Sequence, residues 1–362
     1  MKEIVLNKLD LLIKSFQSIL YEEDELFLKN MKNKNIAGDD ITRYKYWEWT
    51  QGVGLYGVWK LYETTKEVKY LNMVEKYFST CFNIGLPSKN INTVAPMLTL
   101  AKLADYKNDK KYKQVCEQWA AYILNDMKKT QFGGLQHLTS DSLNNEELWD
   151  DSLFMSVLFL ATWGKLTNNQ NYIDEANYQF LIHCYYLSDR KTGLWYHGWT
   201  FDGCHNFVQA FWGRGNCWVT AAISEFLSLD ISSESEKKFL SMVLNRQIKT
   251  LANTQDDSGM WHTLLDDKTS YLEASATCGF AYGILSAVNL KIVDHKYLLN
   301  ANKAIDSILK NIDDEGILQQ VSYGTPMGRI SKDFYKEIPI KAMPYGQALA
   351  MLSLVEKLKS EN

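Results

Sequence analysis

The feature that most constrains this chain is the rhythm of its connections. Apolar residues recur at three- and four-residue spacing through most of the sequence, the signature of amphipathic helices. The pattern predicts twelve helices, over 3–21, 48–65, 67–84, 92–106, 109–128, 149–166, 169–186, 211–229, 233–252, 272–289, 295–311 and 343–358. Long loops at 22–47, 129–148, 187–210, 253–271 and 312–342 alternate with very short ones at 66, 107–108, 167–168, 230–232 and 290–294. Helices joined by so few residues must fold back as antiparallel hairpins. Six hairpins predict an all-α (α/α)6 barrel, a toroid with one helix of each pair lining the inside. Strand signals are confined to short stretches such as Gly193-Leu194-Trp195-Tyr196-His197.

The long loops then open at one end of the toroid, at the N-termini of the second, sixth, eighth, tenth and twelfth helices. The second carries Gly52, Gly54 and Gly57, and the tenth Ala274, Ala276, Gly279, Ala281 and Gly283. Small residues of this kind let helices pack closely around an inner ring. A site is expected where the long loops and the inner-helix N-termini converge, because rigid elements position loop-borne residues there. No Pro/Ser-rich linker or shift in composition divides the chain, so a single domain over residues 1–362 is expected.

Composition removes several classes of function. The net charge of -4 comes without a basic stripe or an acidic tail, which argues against nucleic acid and membrane surfaces as partners. The six cysteines are scattered, with no CxxC, so neither a metal centre nor a secreted disulfide scaffold is expected. No Walker A, HExxH or GxSxG occurs, and no cofactor is expected. The N-terminus, Met1 to Asp10, reads as an amphipathic helix and not as a signal peptide. No apolar run is long enough to cross a bilayer, and a cytoplasmic location is expected.

Eleven Trp and 21 Tyr are unusual. Sugar rings present flat C–H faces that stack on such side chains, although a core built of large residues would use them too. Position favours the sugar reading. The working rim collects Trp47-Glu48-Trp49, Asn90-Ile91-Asn92-Thr93, Trp149-Asp150-Asp151, Tyr196-His197-Gly198-Trp199, Trp212 to Trp218, Tyr271-Leu272-Glu273 and Pro344 to Gln347. An all-helical core has no need to gather indoles, imidazoles, Arg and acids at one end.

Asp150 suits a helix N-cap, whose carboxylate accepts backbone N–H bonds. Asp151, one residue deeper, should point into the toroid, where burial and a neighbouring carboxyl would raise its pKa toward that of a working proton donor. Arg214 opens an inner helix, where its charge opposes the dipole, and a bound carboxylate would relieve that cost. Trp218, four residues on, shares its helix face. His197 and His137 sit in long loops, each open to a structural or a catalytic reading. Glu273 reads as a helix start or a second acid.

These motifs, taken in order, resemble glycoside hydrolase family 105, the unsaturated rhamnogalacturonyl and glucuronyl hydrolases. The resemblance rests on Trp47-Glu48-Trp49-Thr50-Gln51-Gly52, Leu148-Trp149-Asp150-Asp151-Ser152, Tyr196-His197-Gly198-Trp199, Arg214-Gly215-Asn216-Cys217-Trp218, Ser270 to Thr277, Gly324-Thr325-Pro326 and Tyr345-Gly346-Gln347. It spans nearly the whole chain. It implies an (α/α)6 barrel acting on oligosaccharides that carry a C4=C5 unsaturated uronic acid at the non-reducing end. The family hydrates that double bond: an acid protonates C4, water adds at C5, and the hemiketal opens and expels the remaining sugar. The resemblance places the acid on Asp151 and substrate contacts on Trp49, His137, Trp149, His197, Trp212, Arg214 and Trp218. Relatives often carry an Asp where this chain has Asn92, an amide that can bind sugar or water but cannot act as a base. Two other readings of the toroid are a sugar epimerase or ordinary glycosidase, and a non-catalytic carbohydrate-binding protein.

Overall fold

The structure, a computed structural model, describes residues 2–360. Its helices are α1 (Lys2–Ile19), α2 (Glu25–Lys34), α3 (Trp49–Thr65), α4 (Val68–Ile84), α5 (Ile91–Lys107), α6 (Lys110–Asn125), α7 (Leu158–Thr167), α8 (Gln170–Leu187), α9 (Gly213–Ser228), α10 (Glu234–Thr254), α11 (Ala274–Asn289), α12 (Leu298–Asn311) and α13 (Pro344–Ser360). Four short strands accompany them: β1 (Glu147–Trp149), β2 (Gly198–Thr200), β3 (Trp261–His262) and β4 (Leu272–Glu273).

The short connections work as the sequence requires. Lys66, Asn108 and Asn168 adopt left-handed φ values of 59°, 51° and 52° at the C-caps of α3, α5 and α7. This reverses the chain within one or two residues. Asp109 and Asn169 then cap the next helix with their side chains. Capping boxes at Asn90–Thr93 and Ser233–Glu236 start α5 and α10.

Helices α3, α5, α7, α9, α11 and α13 pack side by side, and α13 meets α3 to close the ring. Helices α4, α6, α8, α10 and α12 each lie outside the helix they follow, making five contiguous hairpins. The sixth pair joins the two ends of the chain, with α1 packed on α13. Gln347 Nε2 on α13 donates to Ser15 Oγ on α1 at 2.6 Å. Every residue of α11 from Ala274 to Val288 is buried, as expected of a helix enclosed on all sides. Gly52 permits the α3–α5 contact, since a Cβ there would lie 2.5 Å from the Pro96 backbone nitrogen. Among the described residues no helix is long and apolar enough to cross a membrane.

Three departures from the sequence reading matter. Helix α2 lies within the loop expected over 22–47. The helix expected from 149 does not begin there: residues 147–149 form β1, and a π-helical turn (Leu153–Val157) precedes α7. The ladder expected around 193–197 lies at β2, which pairs antiparallel with β1, with Trp149 opposite Gly198. Trp195 makes only an isolated bridge to Ser188.

Candidate active site

The β1–β2 ribbon carries the acidic turn to the mouth of the ring. Asp150 N donates to His197 O at 3.0 Å, which ties the start of the turn to β2. Phe154 N and Met155 N both donate to the Asp151 carbonyl at 3.0 Å, launching the π-helical turn. Turns of this kind insert an extra residue, and recur where a side chain must be re-aimed.

The two carboxyls part company here. Asp150 is fully buried and turns toward α9, where Gly215 leaves room: a Cβ there would sit 2.3 Å from Asp150 Oδ2. Neither oxygen finds a partner with hydrogen-bonding geometry, so the expected N-cap role is not fulfilled. Burial, and then the charge of Asp151, push its pKa well above the usual carboxylate range. Asp151 keeps 17% of its side chain exposed. Burial raises its pKa to about 7, while its own and Ser152's backbone N–H groups and the Arg214 charge pull the other way. Its Oδ1 has no hydrogen-bond partner. A proton can therefore reside there near neutrality.

A wall of flat rings surrounds this acid. His137 lies face to face with Trp149, with centroids 4.2 Å apart and planes 5° from parallel. Its Nδ1 sits 2.9 Å from Ser152 Oγ and 3.4 Å from Asp151 Oδ1. Burial, reinforced by nearby His183, lowers its pKa to about 3, so the ring is neutral and the approach to Asp151 is not an ion pair. His197 is edge-on to Trp149 at 5.1 Å and tilted on Trp212 at 4.4 Å. Its Nδ1 lies 2.6 Å from the Tyr335 hydroxyl. Burial also drives His197 well below its ordinary pKa. Nε2 of this neutral ring is buried and has no protein partner.

Arg214 differs from the open cation that the sequence suggested. It is fully buried at the start of α9. Nη1 donates to Ser322 O at 2.8 Å and also to Ser322 Oγ. Nη2 donates to Tyr323 O at 2.8 Å and to Thr325 Oγ1 at 2.7 Å. The carboxylate that balances it is Glu273, 3.7 Å away. Glu273 also caps α11, accepting from Ala276 N at 2.5 Å, so it is a helix start and an ion-pair partner at once. Only Nε of the guanidinium lacks a partner. Trp212 and Tyr345 lie against the guanidinium at 4.7 and 5.0 Å.

Trp49 continues the wall, stacked on Tyr345 at 4.7 Å. Trp218, expected beneath a sugar ring, is 1% exposed and packs against Phe154 and the edge of Trp49. It supports Trp49 from behind. Asn92, half-buried, occupies the first turn of α5, whose cap Asn90 donates to Ser140 Oγ at 2.9 Å. Ser140 in turn donates to Glu48 Oε1 at 2.5 Å. Burial raises Glu48 to about 8. A continuous series of contacts thus runs Trp49–Tyr345–Arg214–Trp212–His197–Trp149–His137–Asp151. Tyr335, Glu147 and Arg329 also join the site, and the sequence reading missed all three. Glu147 lies in β1, Arg329 in a loop and Tyr335 in a short 3-10 helix (Lys332–Lys336), segments too short to show a periodicity.

A six-hairpin toroid with a neutral-range acid set among stacked indoles and imidazoles defines a glycoside hydrolase. The chain belongs to glycosyl hydrolase family 88, whose sequence profile matches residues 24–361. It is 31% identical over 318 residues to the unsaturated rhamnogalacturonyl hydrolase YesR of Bacillus subtilis (strain 168), spanning 87% of this chain and 90% of that protein. Two solved structures described as possible family 105 members bear out the motif resemblance. The one from Klebsiella pneumoniae is 42% identical with a TM-score of 0.90, covering 98% of this chain and 94% of that one. The one from Salmonella enterica serovar Paratyphi A is 44% identical with a TM-score of 0.86, covering 93% and 94%.

Proposed function

We propose that this enzyme removes the C4=C5 unsaturated uronic acid from the non-reducing end of lyase-generated oligosaccharides, with Asp151 as the proton donor. Asp151 transfers its proton to C4, and positive charge develops at C5, shared with the ring oxygen. Water adds at C5 and gives its proton to the carboxylate left on Asp151. The resulting hemiketal opens by breaking its bond to the ring oxygen, and C1 then releases the remaining sugar. One carboxyl serves both proton transfers, so the amide at Asn92 is no obstacle. In this reading His197 Nε2 and the Asn92 amide hold hydroxyls, and Trp49, Trp149 and Trp212 bound the ring. Arg214, whose Nε is unpartnered, lends its charge to the substrate carboxylate in this reading.

The observation that carries this reading is the Asp151 carboxyl, its Oδ1 unpartnered and its pKa held at about 7 amid the aromatic wall. The histidines favour it over an epimerase. Acid–base pairs of histidines would need to titrate in the working range, and both rings here are held neutral far below it. The relationship to an unsaturated rhamnogalacturonyl hydrolase points to rhamnogalacturonan fragments as the first substrates to try. All six cysteines are free and five are buried, which suits a reducing compartment and supports a cytoplasmic location.

Incubation with lyase-digested rhamnogalacturonan should abolish the absorbance of the conjugated enol and add one water to the substrate mass. Persistence of that absorbance across lyase digests of pectins, glycosaminoglycans and algal uronans would contradict the proposal. The pH dependence follows from the same acid. A proton donor works while protonated, so kcat/KM should be level below about pH 7 and fall as pH rises through it. The descending limb belongs to the coupled Asp150–Asp151 pair. A pH–rate profile that climbs through neutrality would contradict the acid role.

A further inference from the structure

The long loop at 312–342 touches the site at two separated points. Near its middle, Ser322, Tyr323 and Thr325 hold Arg214. A few residues on, Arg329 reaches across to β1 and grips Glu147 with two parallel bonds, Nη1 to Oε1 at 2.9 Å and Nη2 to Oε2 at 3.0 Å. Glu147 is buried, whereas Arg329 is 48% exposed. The second carboxylate oxygen of Glu147 also accepts from the indole N–H of Trp149 at 2.9 Å. Trp149 lies flat on His137, whose Nδ1 is 3.4 Å from Asp151 Oδ1. Four successive contacts therefore connect a loop side chain at the surface to the proposed acid.

We infer that Arg329 and Glu147 are positioning residues for the catalytic array, fixing the Trp149 indole and through it His137 and Asp151. The physical reason is the burial of Glu147. A buried carboxylate must be paired, and removing its cation leaves it to seek water or a proton. Either response withdraws the acceptor that fixes the angle of the indole. Trp149 would then be free to turn about its side-chain bonds, and the flat face against His137 would be lost. A displacement of about 1 Å at a reacting group costs on the order of 100-fold in rate.

The inference rests on the proposed role of Asp151, and its test is separable from that role. The charge of Glu147 creates the need for Arg329, so the two side chains should act as a unit. Arg329→Gln should lower kcat on the order of 10- to 100-fold in the parent enzyme, with KM nearly constant. Glu147→Gln keeps an amide oxygen for the indole and removes the buried charge, so it supplies the background in which the need for Arg329 should disappear. In that background Arg329→Gln should have almost no further effect. Glu147→Leu removes the indole's acceptor and should reproduce the kcat loss, which decides the matter even if Arg329→Gln alone does not fold. An equal loss from Arg329→Gln in both backgrounds, or a rise confined to KM, would mean that Arg329 contacts substrate and would overturn the positioning role. So would full kcat in Glu147→Leu. If Asp151→Asn alone kept its turnover, the acid assignment would fall, while the background dependence of Arg329→Gln would still be read from the parent kcat.

Discussion

Asp151→Asn should lower kcat on an unsaturated disaccharide by between about 10² and 10⁴-fold, the range expected for removing a positioned general acid. Asparagine has nearly the same shape and retains the contacts of the turn, but it has no proton to give to C4. The substitution should not harm the fold. The native state raises the Asp151 pKa from the ordinary carboxylate range to about 7. Between those values the folded protein keeps a proton that the unfolded chain releases, so this group erodes stability as pH rises through that window. An amide has no such dependence. Near neutral pH the variant should therefore unfold at or above the parental temperature while its turnover is nearly lost. Thermal unfolding and steady-state kinetics on one preparation check both halves.

Arg214→Met should be the most destabilising substitution in the site. Removing one partner of a buried ion pair typically costs about 3–5 kcal/mol. Here it would strand Glu273 and take one donor each from the Ser322 and Tyr323 carbonyls, which keep only the Tyr345 hydroxyl and Thr325 Oγ1. Glu273 keeps its bonds from Ser275 Oγ, Ala276 N and Ser322 N, which should soften the loss without cancelling it. Turnover should fall as well, because the loop over residues 322–325 loses its anchor. Urea denaturation measures the effect directly, and a midpoint equal to the parent's would show that Arg214 is not the anchor described.

Much of the architecture was legible in the sequence because hairpins are local. Single-residue reversals at Lys66, Asn108 and Asn168 are short-range events, and they dictated which helices pair. The ring closure by α1 and α13 was implied only by counting, since five short loops leave the first and last helices unmatched. Helix α2 escaped notice because it is only ten residues long and just one of its residues, Met31, is buried. The start of the sixth predicted helix was misplaced because Trp149 fits a helical pattern equally well. Pairing with β2, a partner some fifty residues away in sequence, decides for strand.

Within the site, the sequence carried residue types better than partners. The cost of a cation at the α9 N-terminus was visible, but the anion that relieves it, Glu273, comes from β4 at the N-cap of α11. Helical spacing placed Trp218 beside Arg214, yet the rings that touch the guanidinium are Trp212 and Tyr345. Asp150 and Asp151 could not be separated by local chemistry. Gly215, which makes room for Asp150 against α9, separates them in space.

The account turns on one event, the delivery of a proton from Asp151 to C4 of an unsaturated uronide. Turnover in deuterated water, with the product examined by NMR, tests it most directly. A fixed acid reaches C4 from one face only, so the parent enzyme should place a single deuterium there with one configuration, and Asp151→Asn should form almost no product. Attack at C1 instead would release an enol that tautomerises in solution and takes up deuterium from both faces. A mixed configuration at C4, or deuterated product formed at the parental rate by Asp151→Asn, would contradict the account.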